Sequence, residues 1–278
     1  MSTELGLKGR LLEMDRLGSL KSLLLSSQVL VYPALGIASL LLLWWFGGYL
    51  ISGNPGTESF SGFAPEPAFV RLLALLQSGE LWSFIYPSLL RIGAGLLWAM
   101  LIGIPIGIMI GLSKAVQSTT HIPFQFLRMI SPLAWMPVAV LTFATWDGAI
   151  IFLIAVAAIW PVLFSTAHGV RRIDPLWLTV AKNLGSDSLQ MLRRIILPAI
   201  AQDVFAGVRL AVGVAWIVLV PAEYLGVTSG LGYAINDARD TLEYDLLAAI
   251  VIVIGVIGYI LDSVCVRLIR NFSWRLES

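Results

Sequence analysis

The stretch IGAGLLWAMLIGIPIGIMIGL, residues 92–112, contains no charged side chain. A helix that crosses a lipid bilayer needs about 20 consecutive apolar residues, so this stretch alone predicts a membrane-spanning helix. Other charge-free runs repeat the pattern along the chain; they occupy residues 29–51, 133–144, 149–167, 210–222 and 246–261. The sequence therefore predicts an all-α polytopic membrane protein with about six transmembrane helices.

The overall composition agrees with a membrane protein. Of the 278 residues, 58% are hydrophobic and only 13% are charged, whereas soluble domains carry about a quarter charged residues. A soluble protein with an unusually apolar core is the alternative, and the length of the charge-free runs argues against it. The single cysteine, Cys265, excludes a disulfide framework. His121 and His168 have no acidic or cysteine neighbours, so no metal site is expected.

Basic residues predict the orientation of the helices. Most of the 18 Lys and Arg residues lie before the first span, at Lys114, within 170–196 and in the C-terminal tail. The opposite set of loops holds Arg71 and Arg239 among many acidic residues. Because cytoplasmic loops are enriched in Lys and Arg, both termini are predicted to be cytoplasmic. That arrangement requires an even number of spans, which six satisfies.

The chain is predicted to divide into five parts. The first mixes leucines with basic residues at helical spacing, which favours an amphipathic helix on the membrane surface, with a solvated arm as the alternative. A glycine- and proline-containing loop follows the first span. The predicted parts are the N-terminal amphipathic segment 1–28, the first transmembrane helix 29–51, an external loop with a short helix 52–82, a core of five transmembrane helices 83–269, and a cytoplasmic tail 270–278.

Prolines mark the third predicted span, residues 122–144. Pro123, Pro132 and Pro137 should kink or break this helix. Backbone groups that a break releases must be satisfied by neighbouring helices or by a wet cavity. The segment is therefore a candidate wall of a transport pathway, and a merely bent packing helix is the alternative.

Three glycines four residues apart mark the second predicted span, residues 84–112. Gly103, Gly107 and Gly111 form two overlapping small-xxx-small repeats, which allow helix backbones to approach closely in a bilayer. Packing within one subunit is the favoured interpretation, and subunit dimerisation is the alternative.

The connection between the fourth and fifth spans, residues 170–198, predicts two short helices. Asp174 and Pro175 make a good N-cap and first-turn pair, and Gly185 can end the first helix. Ser186 or Asp187 could cap the second helix, and Pro198 is expected to close the unit where the next span begins. The first helix aligns apolar side chains along one face, namely Leu176, Val180 and Leu184. Such a ridge needs a membrane surface or a partner's groove to cover it.

This connection resembles the cytoplasmic loop of bacterial ABC importer permeases, the binding-protein-dependent inner-membrane family. The family pattern is Glu-Ala-Ala, three residues, Gly, nine residues, then Ile-x-Leu-Pro. Gly185, Ile195, Leu197 and Pro198 stand at the family's spacing. TVA, residues 179–181, takes the place of Glu-Ala-Ala, so only the second alanine matches.

Other stretches extend the resemblance over about residues 83–269. The subgroup most similar to them contains the nitrate, sulfonate, taurine and bicarbonate permeases. The stretches that carry the resemblance are SLLR at 88–91, IGIPIG at 102–107, SPLAWMP at 131–137, PAE at 221–223 and GLGY at 230–233.

The resemblance implies a type I ABC importer permease architecture in the bacterial inner (plasma) membrane. Two permease subunits, as a homodimer or as a pair with a similar partner, would form the pathway for a small anion, and separate ATPase subunits would hold ATP and Mg. A periplasmic or lipid-anchored binding protein would deliver the substrate. The chain has no Gly-Lys dipeptide and hence no P-loop of the usual pattern, so it is expected not to be catalytic itself. No cofactor and no nucleic-acid partner are expected for this chain.

The resemblance also assigns roles to residues. The positions that would couple the permease to the ATPase are Leu176, Thr179, Val180, Ala181, Leu184, Gly185, Leu197 and Pro198. Charged residues at membrane depth are functional candidates, and a weak positive field suits an anion pathway. The substrate-pathway candidates are Arg91, Pro132, Trp135, Pro137, Arg209 and Glu223. For the arginines, a snorkelling or internally paired side chain is the alternative.

Two other classes of protein are alternatives to an importer permease. An ion-coupled secondary transporter would show inverted repeats and buried acidic relays, and neither is visible in the sequence. A non-transporting membrane scaffold would suit the amphipathic loop, but it leaves the prolines and glycines of the second and third spans without a purpose.

Overall fold

The computed structural model of the protein describes residues 31–53 and 56–277, without the side chains of residues 58, 59 and 271–277. The predicted amphipathic segment 1–28 lies outside the described residues. Throughout the described part of the chain the regular structure is helical. The chain separates into two units, Met1–Phe69 and Val70–Ser278, which are described one at a time.

The first unit contains helix α1, Val31–Ser52, which is long and apolar enough to span a membrane. Its side chains are almost all exposed, as expected of a helix whose neighbours are lipid or other subunits. A 3₁₀ turn at Glu58–Phe63 follows, and the indole Nε1 of Trp44 donates a 2.8 Å hydrogen bond to the Phe63 carbonyl. This bond ties the turn back to α1.

The second unit is built on three long helices. They are α3 (Leu81–Leu112), α6 (Trp146–Arg172) and α9 (Leu197–Gly226). Helix α6 lies between the other two and is the most buried of the spans. Its side chains Ile150, Leu153 and Ala158 are fully buried in the main apolar core. The core therefore follows α6 along its length.

Shorter helices and one further span complete the second unit. Helix α2, Pro65–Ser78, crosses the boundary between the units, and the amphipathic α10, Leu231–Asp240, precedes the last helix. Helix α11, Tyr244–Glu277, packs with α9 and α10 around buried residues such as Leu231 and Ile250. The predicted spans thus correspond to helices in the structure, and the predicted all-α membrane fold is confirmed. The division of the chain into five parts stays a prediction.

The third predicted span is broken. Helix α4, Lys114–Met129, is followed by a 3₁₀ turn at Pro132–Trp135 and by α5, Met136–Thr142, and the two halves meet at 88°. The chain is extended at Ser131, as the residue before a proline prefers. The described chain therefore has five long spans, or six if this bent pair counts as one.

The glycine repeat of α3 faces α6. A Cβ added at Gly107 would lie 2.6 Å from the Leu163 carbonyl oxygen and 2.7 Å from the Thr166 Cβ. Added Cβ atoms at Gly103 and Gly111 would meet α6 in the same way. The absence of side chains at these positions lets the two helix backbones approach closely.

The connection between α6 and α9 forms the two predicted short helices, α7 (Pro175–Asn183) and α8 (Ser188–Met191). The Asp174 carboxylate caps α7 by accepting from the Leu176 N–H at 2.9 Å. Asp187 caps α8 in a capping box with Gln190. Gly185, between the helices, has a φ of +82°, which favours glycine.

Pro198 lies in the first turn of α9, where the next span is expected to begin. The helix is nevertheless continuous into that turn, because Ser188–Gly226 is helical over 39 residues. A π-helical turn at Leu192–Ile196 immediately precedes the proline. Proline lacks an N–H and its ring clashes with the carbonyl four residues earlier, and a locally widened turn accommodates both effects.

Candidate functional site: an apolar ridge and a buried ion cluster

Helix α7 presents an uncovered apolar ridge, formed by Leu176, Trp177, Val180 and Leu184. Each of these side chains is about half exposed or more, and Leu184 reaches 81%. Beside the ridge lies an open cavity of about 760 Å³, which the start of α9 closes with Pro198. An exposed apolar surface of this kind marks a protein or membrane interaction site.

The remaining predicted coupling residues hold the ridge in place. Ala181 is buried beside the ridge and lines the same cavity, and the Thr179 hydroxyl donates to the Pro175 carbonyl at 3.0 Å. The Gly185 N–H donates to the Lys182 carbonyl and so closes the end of the helix. Leu197 is 38% exposed at the start of α9. All eight predicted coupling residues therefore lie in one short region of the structure.

A second group of polar residues, partly buried, lies where α6 begins and α9 ends, against the first half of α3. We call it the Arg91 cluster; its members are Ser88, Arg91, Asp147, Glu223 and Ser229. The side chains of Arg91 and Glu223 are 4% and 0% exposed, respectively, and their Nη1 and Oε1 atoms are 2.6 Å apart. Asp147 is 62% exposed and receives the Arg91 Nε at 2.7 Å. One guanidinium thus pairs with one buried and one exposed carboxylate.

The Arg91 guanidinium has all its donors engaged. Nη1 also donates to the Ser229 carbonyl at 2.8 Å, and Nη2 donates to the Ser229 hydroxyl at 2.9 Å and contacts Asp147. A buried charge is tolerated only when it is paired and hydrogen-bonded in this way. This geometry favours the internally paired alternative for Arg91.

The Glu223 carboxylate stabilises the start of α10 through hydrogen bonds. It accepts from the Ser88 hydroxyl at 2.8 Å and from the Gly232 N–H at 2.9 Å, while the Leu231 N–H donates to Ser88 at 2.9 Å. At Gly230 the φ is +107°, and an added Cβ would lie 2.5 Å from Glu223 Oε1. Glycine is therefore required here for both its conformation and its small size.

Sequence reasoning named Arg91 and Glu223 but missed their partners. Asp147 belongs to no pattern that the sequence offers, and Ser88 and Gly230 belong only to stretches that carry the resemblance. Arg91 and Asp147 are 56 residues apart, and Arg91 and Glu223 are 132 apart, so no local spacing could connect them. The only signal for Arg91, Ser88, Glu223 and Gly230 is that each stands inside a stretch that resembles the family.

The other pathway candidates do not join this cluster. Pro132 and Trp135 lie in the 3₁₀ turn of the broken span, and Pro137 lies in the first turn of α5. Trp135 lines an apolar cavity of about 300 Å³ with Trp98, and its indole Nε1 is buried without a hydrogen-bond partner among the described residues. Arg209, on α9, is paired with Asp262 on α11.

The ridge and the Arg91 cluster lie at opposite ends of α6. This helix carries Asp147 in its first turn and Arg171 and Arg172 in its last, next to α7. Its 27 residues correspond to a length of about 40 Å, which is enough to cross the apolar part of a bilayer. The exposed apolar ridge at one end is therefore joined to the ion cluster at the other by one buried helix.

These features define a polytopic membrane permease. The model of the family described as "binding-protein-dependent transport system inner membrane component" matches residues 103–276, and the chain belongs to this family. It is thus the permease subunit of an ABC importer, and neither a secondary transporter nor a scaffold.

Known proteins of similar sequence agree with this assignment. The bicarbonate transport system permease protein CmpB of Synechococcus elongatus is 36% identical over 84% of this chain and 86% of its own length. The taurine transport system permease protein TauC of Escherichia coli is 33% identical over 81% and 82%. The nitrate import permease protein NrtB of Synechocystis is 31% identical over 85% and 86%.

The fold is also that of a solved transporter. A structure of the MetNI methionine ABC transporter in an inward-facing conformation aligns with a TM-score of 0.58 at 13% identity, covering 70% of this chain and 98% of the matched chain. At that identity the likeness concerns the fold, which is the type I importer permease architecture.

Proposed function

We propose that this permease imports a small anion of the nitrate, bicarbonate, sulfonate or taurine class. The relatives that support this proposal are named for bicarbonate, taurine and nitrate transport, and each aligns over most of its own length. These substrates share a compact group of oxygens that carries negative charge. A pathway for them requires positive groups that attract the anion without trapping it.

Separate ATPase subunits bind ATP together with Mg and hydrolyse the ATP. This hydrolysis supplies the energy for import. The observation that carries this proposal is the uncovered ridge on α7, which has the form of an amphipathic helix ready to enter a groove. A groove on each ATPase subunit would cover Leu176, Val180 and Leu184. Movement of the ATPases would then be transmitted to α6 and α9, which flank the ridge in sequence.

The assembly we propose contains two copies of the permease, two ATPase subunits and a periplasmic or lipid-anchored binding protein. Helix α4 supports the presence of a second permease subunit, because none of its side chains is buried within the described chain. Such a helix needs protein, lipid or a water-filled pathway against it. The complex would lie in the bacterial inner membrane, with both termini of the permease in the cytoplasm and the predicted loop 52–82 in the periplasm.

Two substitutions on adjacent positions of α7 test the coupling. Val180→Glu places a charge on the ridge, and we expect it to abolish copurification of the cognate ATPase and stimulated ATP hydrolysis. Thr179→Glu restores the family's glutamate on an exposed position beside the ridge, and we expect binding and hydrolysis to persist. Equal loss in both variants, or normal coupling in Val180→Glu, would contradict the proposed docking surface.

Transport assays identify the substrate. The reconstituted complex with its binding protein would be supplied with radiolabelled nitrate, bicarbonate, taurine or an alkanesulfonate. We expect ATP-dependent uptake of at least one of these anions. Uptake that persists without the ATPase subunits, or a complex inert to all four, would refute the proposed function.

A further inference from the structure

An ion pair joins α9 and α11 within the spanning part of the protein. The Nε and Nη2 atoms of Arg209 donate to the two carboxylate oxygens of Asp262 at 2.7 Å and 3.0 Å. The third nitrogen of the guanidinium, Nη1, has no hydrogen bond to any described residue. Both side chains are about half exposed, at 46% and 52%. The pair is therefore formed but accessible.

The position of this pair is unusual for exposed charges. Arg209 immediately precedes the charge-free run 210–222, and Asp262 immediately follows the run 246–261. Arg209 lies about 18 Å along α9 from Leu197, as a rise of about 1.5 Å per residue requires. A long arginine can reach the membrane surface by snorkelling, but a short aspartate cannot. The exposed face of the pair therefore borders water or protein rather than lipid.

Two exposed glycines lie near the pair, one on each helix. Gly213 lies one turn beyond Arg209 on the same face of α9, and Gly255 lies two turns from Asp262 on the same face of α11. A Cβ added at either glycine would meet no heavy atom within 4 Å. No atom of the described chain therefore covers these two positions, although the Trp216 indole lies against Gly258 between Asp262 and Gly255.

We propose that Arg209 is an anion-binding site on the translocation pathway and that Asp262 is its built-in competitor, an inference that rests on the proposed anion import. A guanidinium presents a planar fork of N–H donors that fits the oxygens of a carboxylate, nitrate, bicarbonate or sulfonate. The passing anion takes the place of the Asp262 carboxylate and leaves when that carboxylate returns. The anion cannot bind while Asp262 occupies Arg209. The apparent affinity for the anion is therefore the intrinsic affinity multiplied by the fraction of time for which Arg209 is free.

The first test removes the competitor. Asp262→Asn abolishes the negative charge and leaves the side-chain oxygen as an acceptor for Arg209. In proteoliposomes that contain the complete complex, we expect the KM for the transported anion to fall about threefold to tenfold. This factor is the reciprocal of the fraction of time for which Arg209 is free of Asp262 in the wild type. The maximal rate falls as well, because a site that binds too tightly releases slowly. Arg209→Gln has the opposite effect and raises KM.

A matched control comes from Arg71 and Glu243, an ion pair of similar exposure with a 2.8 Å contact. Glu243→Gln should leave KM unchanged. An unchanged KM in an assembled Asp262→Asn complex, with normal import by the wild type, overturns the inference and leaves the proposed function standing. A wild type that imports none of the four anions refutes the proposed function itself.

The second test needs no substitution and is independent of folding defects. Cys265 is the only cysteine of the chain and lies three residues after Asp262, on the same side of α11. We expect an anionic, water-soluble methanethiosulfonate reagent to modify it in the assembled complex, and the transported anion to slow the reaction. A thiol that does not react, or whose rate the anion does not alter, places lipid or a second permease copy against this face and overturns the inference.

Discussion

At the scale of single residues, the Arg91 cluster shows how burial changes the contribution of a charged side chain to stability. Arg91 and Asp147 belong to the same ion pair, yet the structure buries the arginine and exposes the aspartate. The two carboxylates that share the guanidinium should therefore contribute very differently to stability. The buried one, Glu223, also holds the backbone at the start of α10.

Glu223→Gln tests this difference. The substitution keeps the shape but removes the charge opposite a buried arginine, and we expect a loss of about 3 kcal/mol in the free energy of unfolding. Asp147→Asn changes the exposed partner and should cost less than about 1 kcal/mol, because water screens an exposed pair. Thermal midpoints of the two purified variants in detergent provide the measurement. A lower midpoint for Asp147→Asn than for Glu223→Gln would be the contrary result.

At the scale of helices, local chemistry was readable from the sequence and long-range pairing was not. The spans were predicted because apolar length is a local property, and the caps of α7 and α8 because Asp174 and Asp187 act on their own first turns. The break near Ser131 followed from the prolines. The π-helical turn before Pro198 was not predicted, because such a turn has no simple sequence pattern. The partners of Arg91 were missed because tertiary packing brings them together.

The contact between α3 and α6 gives a prediction for one glycine. In Gly107→Ala the new Cβ meets backbone and side-chain atoms of α6, so the helices must separate, at a cost of about 1–3 kcal/mol. Gly93→Ala, on the same helix, meets no heavy atom within 4 Å and replaces glycine by the better helix former. We expect a lower thermal midpoint for the first variant and an equal or higher one for the second. Equal midpoints would mean that α3 and α6 do not pack this closely.

At the scale of the whole molecule, the distribution of charge predicts how the chain is threaded through the membrane. The basic connection beside α7 and the acidic turn between α10 and α11 lie at opposite ends of the spans. Placing the basic connection in the cytoplasm puts the ridge where ATPase subunits are found, and it puts the Arg91 cluster near the periplasmic face.

Reporter fusions check this orientation. Green fluorescent protein at the C-terminus should fluoresce, because it folds in the cytoplasm. Alkaline phosphatase inserted after Leu242, in the turn between α10 and α11, should be active, because it requires the periplasm. The reverse pattern, with an active phosphatase at the C-terminus, would invert the proposed topology.

The separation of the Arg91 cluster along the chain has a consequence for biosynthesis. The ribosome completes Arg91 long before Glu223, and 132 residues at about 5–20 residues per second take roughly 7–26 s. During that interval α3 carries an arginine that lacks its buried partner, which opposes stable residence in lipid. We therefore expect helix α3 to settle in the bilayer only after α9 has left the insertion machinery, and a chain truncated before Glu223 to remain beside that machinery or be degraded.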